Sequence, residues 1–118
     1  MSLDLKHHIR PGDHILWGQV TGEPPTLVEA LVEQRAELGG VTVFLGTGLA
    51  RVLRPEHADH IAMRGLGGLG TFRALASAGV LEVVPIHGGQ VHRMIAEGHI
   101  RGDVALLLLT ALALLLLF

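Results

Sequence analysis

The chain has 118 residues, enough for one small domain with a single core and too few for two. Hydrophobic residues make up 49% and charged residues 17%, with a mean hydropathy of +0.48, so buried strands, a large interface or both are expected. A formal charge of -2 with one Trp, three Phe and no Tyr removes the electrostatic and stacking grounds for nucleic-acid binding, and zero Cys excludes disulfides, thiolate catalysis and Cys-based zinc sites.

The first residues, MSLDLKHHIRPGD, contain no apolar run of signal-peptide length, so a cytoplasmic protein is expected. RPGD (10–13) is a turn signal, and HILWGQ (14–19) reads as a short buried strand. The polar, glycine-bent stretch WGQVTGEPPTL (17–27) leads to a helix, with Thr26 and Glu29 forming a T-x-x-E capping box. Leu27, Leu31 and Leu38 recur on one face of that helix, and Gly39 and Gly40 end it as a left-handed C-cap requires.

VTVFLG (41–46) is a β-branched and aromatic strand, and RPEHADH (54–60) a single helical turn. IAMRGLGGLG (61–70) then precedes a second helix with Thr71 as N-cap and Gly79 as terminator. LEVVPI (81–86) is a strand that Pro85 brings to its end, and QVHRMIAEG (90–98) a third helix closed by Gly98. Asp103 opens a final apolar run. The alternation predicts an α/β domain around a mostly parallel sheet flanked by helices, its strands buried on both faces.

That last run, VALLLLTALALLLLF (104–118), is 15 residues with only Thr110 polar. As a helix it would reach roughly 22 Å, short of the ~30 Å hydrocarbon core, and no Lys or Arg follows to anchor a far interface. A membrane role is therefore not expected. The run reads as a buried strand entering an aberrant end, which separates a domain at 1–107 from a Leu-rich tail at 108–118.

Four features carry candidate chemistry. Residues 65–70, GLGGLG, match G-x-G-x-x-G before a helix, so Gly65, Gly67, Gly68 and Gly70 could approach a phosphate, nucleotide or CoA; the plainer reading is a sharp loop that packs closely. The acid of the next strand, Glu82, stands near its start rather than its end, which fits a dinucleotide fold poorly. In PEHADH, His57 and His60 share a helical face, but H-x-x-H without a third ligand points to a solvated polar turn, and no metal is expected. His87, where a strand gives way to Gly88 and Gly89, falls at the carboxyl edge of the sheet, where ligands collect in open α/β folds. The loop holding Gly18, Gln19, Thr21, Gly22, Glu23 and Pro24 follows a strand at that same edge. Its glycines expose backbone N–H groups that could donate to an oxyanion, while Glu23 reads by default as an ordinary exposed carboxylate.

The blocks RPGDHILWGQVTGEPPTLVEALVEQRAELGGVTVFLG, RPEHADH, GLGGLGTFRALASAGVLEVVP and IAEGHIRGDVAL together resemble the N-terminal part of the acetyl-CoA hydrolase/transferase family, which includes acetate and 4-hydroxybutyrate CoA-transferases. The similarity covers roughly residues 8–107. It implies the CoA-transferase-like α/β fold, in which two similar domains face each other across the active site. It also implies coenzyme A as substrate, with no covalently bound cofactor, and acyl-CoA and a small carboxylate as partners. The family's nucleophile is a glutamate that attacks an acyl-CoA thioester, splitting one hard step into easier ones. That glutamate belongs to the second domain, so no catalytic residue is expected in this chain and Glu23 does not inherit the role. The resemblance carries over only the loop bordering the active site, with Gln19 and the Gly22 backbone foremost. Where the family continues, this sequence runs into LLTALALLLLF, which implies a truncated form, inactive by itself, whose uncovered apolar face drives homo-oligomers or aggregation.

Overall fold

The computed structural model describes residues 4–108. Five strands, β1 (His14–Trp17), β2 (Val41–Leu45), β3 (Ile61–Gly65), β4 (Leu81–Val83) and β5 (Val104–Leu106), form one sheet in the order β4-β3-β2-β1-β5. Every neighbouring pair is parallel. Helices α1 (Pro25–Gln34), α2 (Arg73–Ser77) and α3 (Val91–Ala96) connect them, with a 3₁₀ turn at Pro55–Asp59 taking the helix's place between β2 and β3. The expected α/β fold with a parallel sheet flanked by helices is present. No helix among the described residues is long and apolar enough to cross a membrane.

Strand order fixes where the helices lie. The chain steps β1 to β2 to β3 to β4 in one direction, then crosses back over the sheet to place β5 beside β1. Right-handed crossovers put the forward connections, with α1 and α2, on one face, and the returning connection, with α3, on the other. The core follows that division. Ile15, Val41, Val43, Leu45, Ile61, Met63, Leu81 and Leu106 alternate onto the first face and pack with Leu31, Leu38, Phe72 and Leu75.

The second face overturns the expectation of strands buried on both sides. Phe44 is buried there, but Ala62, Glu82 and Ala105 are exposed, and Arg64 is ion-paired across the strands to Glu82 at 3.3 Å. The reason is one of size. A six-residue α3 is about 9 Å long, whereas five strands span about 19 Å between the outer two. The strands consequently alternate in burial, as β3 does, instead of reading as continuous apolar runs.

Three local expectations also change. Pro24 occupies the N-cap of α1 and Pro25 its first turn, so Thr26 lies inside the helix and its capping box does not form; proline's fixed φ suits that first turn. Phe72, not Thr71, caps α2, because the Thr71 hydroxyl donates instead to Ala50 O at 2.9 Å. β4 ends at Val83 rather than at residue 86. The glycine C-cap also changes: α1 ends at Gln34 with Arg35 as its C-cap, and Gly39 and Gly40, with φ of +80° and +95°, instead turn the chain into β2 after the buried Leu38.

Candidate functional site at the carboxyl edge

Because all five strands are parallel, the loops that leave them gather at one edge. Here the end of β1 and its loop (Leu16, Trp17, Gly18, Gln19), the end of β2 (Phe44, Gly46), Leu66 after β3, and Gly88, Val91 and Ile95 around α3 enclose a cleft of about 200 Å³. Its floor is the apolar second face of the sheet, and α3 forms one wall.

The loop after β1 is tied to the loop after β2. Gln19 Oε1 accepts from Thr47 N at 2.8 Å, and Val20 N donates to Thr47 O at 2.9 Å. With its oxygen used on Thr47, the Gln19 amide keeps its NH₂ group as the end with protons to give. Val20 sits at φ +54°, a left-handed conformation that a β-branched residue adopts only at a cost of about 1–3 kcal/mol. No residue type in the sequence signals that strain.

The rest of the loop divides. Thr21 and Gly22 are exposed, Glu23 and Pro24 are buried, and none of the four lines the cleft. Glu23 is the clearest departure from expectation. It is only 7% exposed, and its two carboxylate oxygens accept from Leu49 N at 2.8 Å and Ala50 N at 3.0 Å. The void beside it is about 10 Å³, room for a water at most. Glu23 is therefore a brace between two loops. A one-dimensional reading could not find this, since both partners are backbone groups more than twenty residues away.

The glycine loop is used in a similar way. Gly48 N donates to Leu69 O at 3.1 Å and Thr71 N to Gly48 O at 3.0 Å, pairing the loops after β2 and β3 as a short parallel bridge. Gly70 has φ +63°, and a Cβ there would run into the Gly48 backbone; a Cβ on Gly65 would meet Leu45 O at 2.6 Å, and one on Gly68 would meet Ala76 Cβ at 2.7 Å. Close packing thus accounts for three of the four glycines singled out, while Gly67 has open space around its Cα. Neither Gly67 nor the other glycines of this loop line the 200 Å³ cleft.

His87 is exposed at the rim, its N–H donating to Gln90 Oε1 at 3.0 Å, and the neighbouring Gly88 lines the cleft in its place. The two histidines of PEHADH are parted. His57 is buried, and its Nδ1 accepts from Arg54 N at 3.0 Å; burial holds its pKa below the ordinary value, with the Arg35 charge adding to the effect. His60 is exposed and pairs with Asp59 at 3.1 Å. Among the described residues no group of three or more His, Cys, Asp or Glu is placed to hold a metal.

Sequence reasoning therefore located the edge and two lining residues, Gly18 and Gln19. It missed Phe44, Gly46, Leu66, Val91 and Ile95, whose only signal is their place next to strand ends or on one face of α3.

No known family's sequence model matches this chain, and no curated protein sequence matches it. Among solved structures, RipA from Yersinia pestis is similar at 26% identity with a TM-score of 0.74, over 87% of this chain and 26% of that chain. The chain thus spans about a quarter of the length of RipA.

Proposed function

We propose that this chain forms one wall of an acyl-CoA hydrolase or CoA-transferase active site, in which acyl or CoA groups exchange between a thioester and a carboxylate or water. The observation that carries the reading is the distribution of exposed large hydrophobics. Val20, Leu49, Leu69, Val83, Leu107 and Leu108 are those exposed among the described residues, and each lies at or just beyond the carboxyl end of a strand. An apolar rim around a cleft suits an edge covered by a second, facing domain. The block-by-block resemblance to the acetyl-CoA hydrolase/transferase family supports the same arrangement.

In this reading the cleft takes the acyl-thioester end of the substrate, and the Gln19 NH₂ group donates to the oxygen that becomes negative as the thioester carbonyl is attacked. The attacking glutamate comes from the facing domain. Braced as it is, Glu23 holds the Leu49 and Ala50 backbone and takes no part in bond making. The protein works in the cytoplasm, and the chain alone turns over no acyl-CoA and self-associates through its apolar rim.

Titrating coenzyme A into the isotopically labelled chain tests the reading. Amide shifts are expected at Gly18, Gln19, Gly46 and Leu66. The absence of shifts in that group at millimolar CoA would overturn the assignment. Robust acetyl-CoA cleavage by the isolated chain would overturn the placement of the nucleophile elsewhere.

A further inference from the structure

A second concavity, about 460 Å³, lies between the loop that leaves β2 and the start of α2, and Arg51, Arg54, Arg73, Thr71, Pro55 and Leu53 line it. It is separate from the CoA cleft: the two share no lining residue. Its volume is in the range of small-molecule sites, and no carboxylate is part of its lining.

The charge balance sets this place apart. Of nine Lys and Arg in the chain, Lys6, Arg35, Arg64 and Arg101 are paired with acids elsewhere. Arg10, Arg51 and Arg73 have no acidic partner among the described residues, and two of those three face this one concavity. Arg54 with Glu56 and Arg93 with Glu97 only graze at 4.0 Å, with all four side chains more than half exposed. A chain with a formal charge of -2 therefore places two of its three unpartnered arginines, and the weakly paired Arg54, in one hollow.

The backbone under these arginines is stitched in place. Arg51 follows Leu49 and Ala50, whose N–H groups are held by the Glu23 carboxylate. The Thr71 hydroxyl reaches across to Ala50 O, and Thr71 N to Gly48 O. Arg73 N closes the turn onto Gly70 O at 3.3 Å. The stems thus start from a fixed junction, so what remains to be ordered on binding is the guanidinium arms alone. A planar guanidinium offers paired N–H groups that match phosphate oxygens, and several together suit an anion of more than one charge better than a single carboxylate.

We propose that this concavity binds a small phosphorylated ligand, with a diphosphate or two phosphate groups held between Arg51 and Arg73 and Arg54 at the rim. The assignment does not rest on the acyl-CoA reading.

Titration of inorganic pyrophosphate into the labelled chain, followed by NMR, tests it. Saturable shifts are expected at the amides of Arg51, Thr71 and Arg73 and at the arginine Nε resonances, weakening as salt is raised. Arg51→Gln with Arg73→Gln should raise the dissociation constant by at least about tenfold, while Arg10→Gln, which removes the third unpaired cation, should leave it unchanged. A parallel titration with ADP distinguishes the sources of the phosphate: tighter binding than pyrophosphate marks a nucleotide, and equal binding marks the phosphates alone. The proposal is overturned if no saturable shift occurs at millimolar pyrophosphate, if the double variant binds as well as the parent, or if Arg10→Gln weakens binding equally. Shifts confined to Gly18, Gln19 and Gly46 would also overturn it. These outcomes are independent of whether CoA enters the cleft.

Discussion

The two edges of the sheet are built on opposite principles. At the amino edge charges are matched apart from Arg10: Lys6 meets Glu37 at 3.2 Å, Arg35 meets Asp59 at 2.8 Å, and Arg101 meets Asp103 at 2.9 Å. Asp103 also accepts from His14 N at 2.8 Å while its own N–H donates to His14 O, locking the start of β5 to β1. At the carboxyl edge the backbone is just as well tied, through Glu23, Gln19 and Gly48, yet the side chains left over are apolar residues in water and arginines without acids. The amino edge is finished as a protein surface. The carboxyl edge leaves apolar side chains and arginines uncovered, at the place where ligands gather in open α/β folds.

The strongest way to break that contrast is to remove the brace. Glu23→Ala leaves two backbone N–H groups in a buried setting without acceptors and should cost about 3 kcal/mol, read as a lowered denaturation midpoint. A loss under about 0.5 kcal/mol would mean that the loops after β1 and β2 hold each other without it. Gly70→Ala comes next. It forces a side chain into a left-handed conformation at about 1–2 kcal/mol and against Gly48, so it should destabilise by at least that amount and shift the amides of both loops.

Acid should loosen the amino side in two stages. His57 has its folded pKa held below its unfolded value, so its contribution is complete above the ordinary value of 6.5 and is lost as pH falls through the lowered one. Protonation there also takes away the Nδ1 acceptor used by Arg54 N. Asp59, hydrogen-bonded by Arg35, is lowered from 3.8 to about 2, and its contribution disappears as pH falls between those values. Asp103 is lowered as well, chiefly by the His14 N–H, and adds to the second stage. Stability measured against pH should therefore fall first below about 6.5 and again below about 4, with the later stage reduced in Asp59→Asn to what Asp103 contributes. A flat profile above pH 4 would show that His57 titrates unperturbed.

The smallest effects on folding separate the edges by function. Lys6→Ala, which breaks an exposed pair, should change stability by less than about 1 kcal/mol and leave association untouched. Leu49→Ser with Leu69→Ser should also stay within about 0.5 kcal/mol, but should reduce self-association in light scattering, because it wets the apolar rim. Unchanged association would show that those two leucines are not part of the contact.

Much of the fold is legible in the residues themselves. Val41–Leu45 announces its strand by β-branching and aromatic content, Gly39 and Gly40 mark the turn before it, and the alternation of strand and helix patterns gives a parallel sheet. The cap of α1 was misread because Thr26 and Glu29 satisfy a capping pattern while the preceding prolines start the helix earlier. The burial of both faces was misread because an apolar strand does not reveal how much helix is available to cover it. The site was legible as a location and hardly at all as a set of residues. Gly18 and Gln19 follow a strand and could be named, whereas Val91 and Ile95 reach the cleft only because the β4–β5 connection crosses back over the sheet.

By itself, then, the sequence determined local conformations, the α/β class and the edge at which ligands would gather, because these depend on residue type and on periodicities within a few residues. The tertiary structure alone decided what each polar side chain does there. Glu23 became a brace because Leu49 and Ala50 fold over it, and Gly70 became part of a seam because Gly48 lies against it. Arg51 and Arg73, twenty-two positions apart, became neighbours only when the loops after β2 and β3 paired. Hydrogen bonds and charges act over a few ångströms, and which groups come that close is a property of the folded chain.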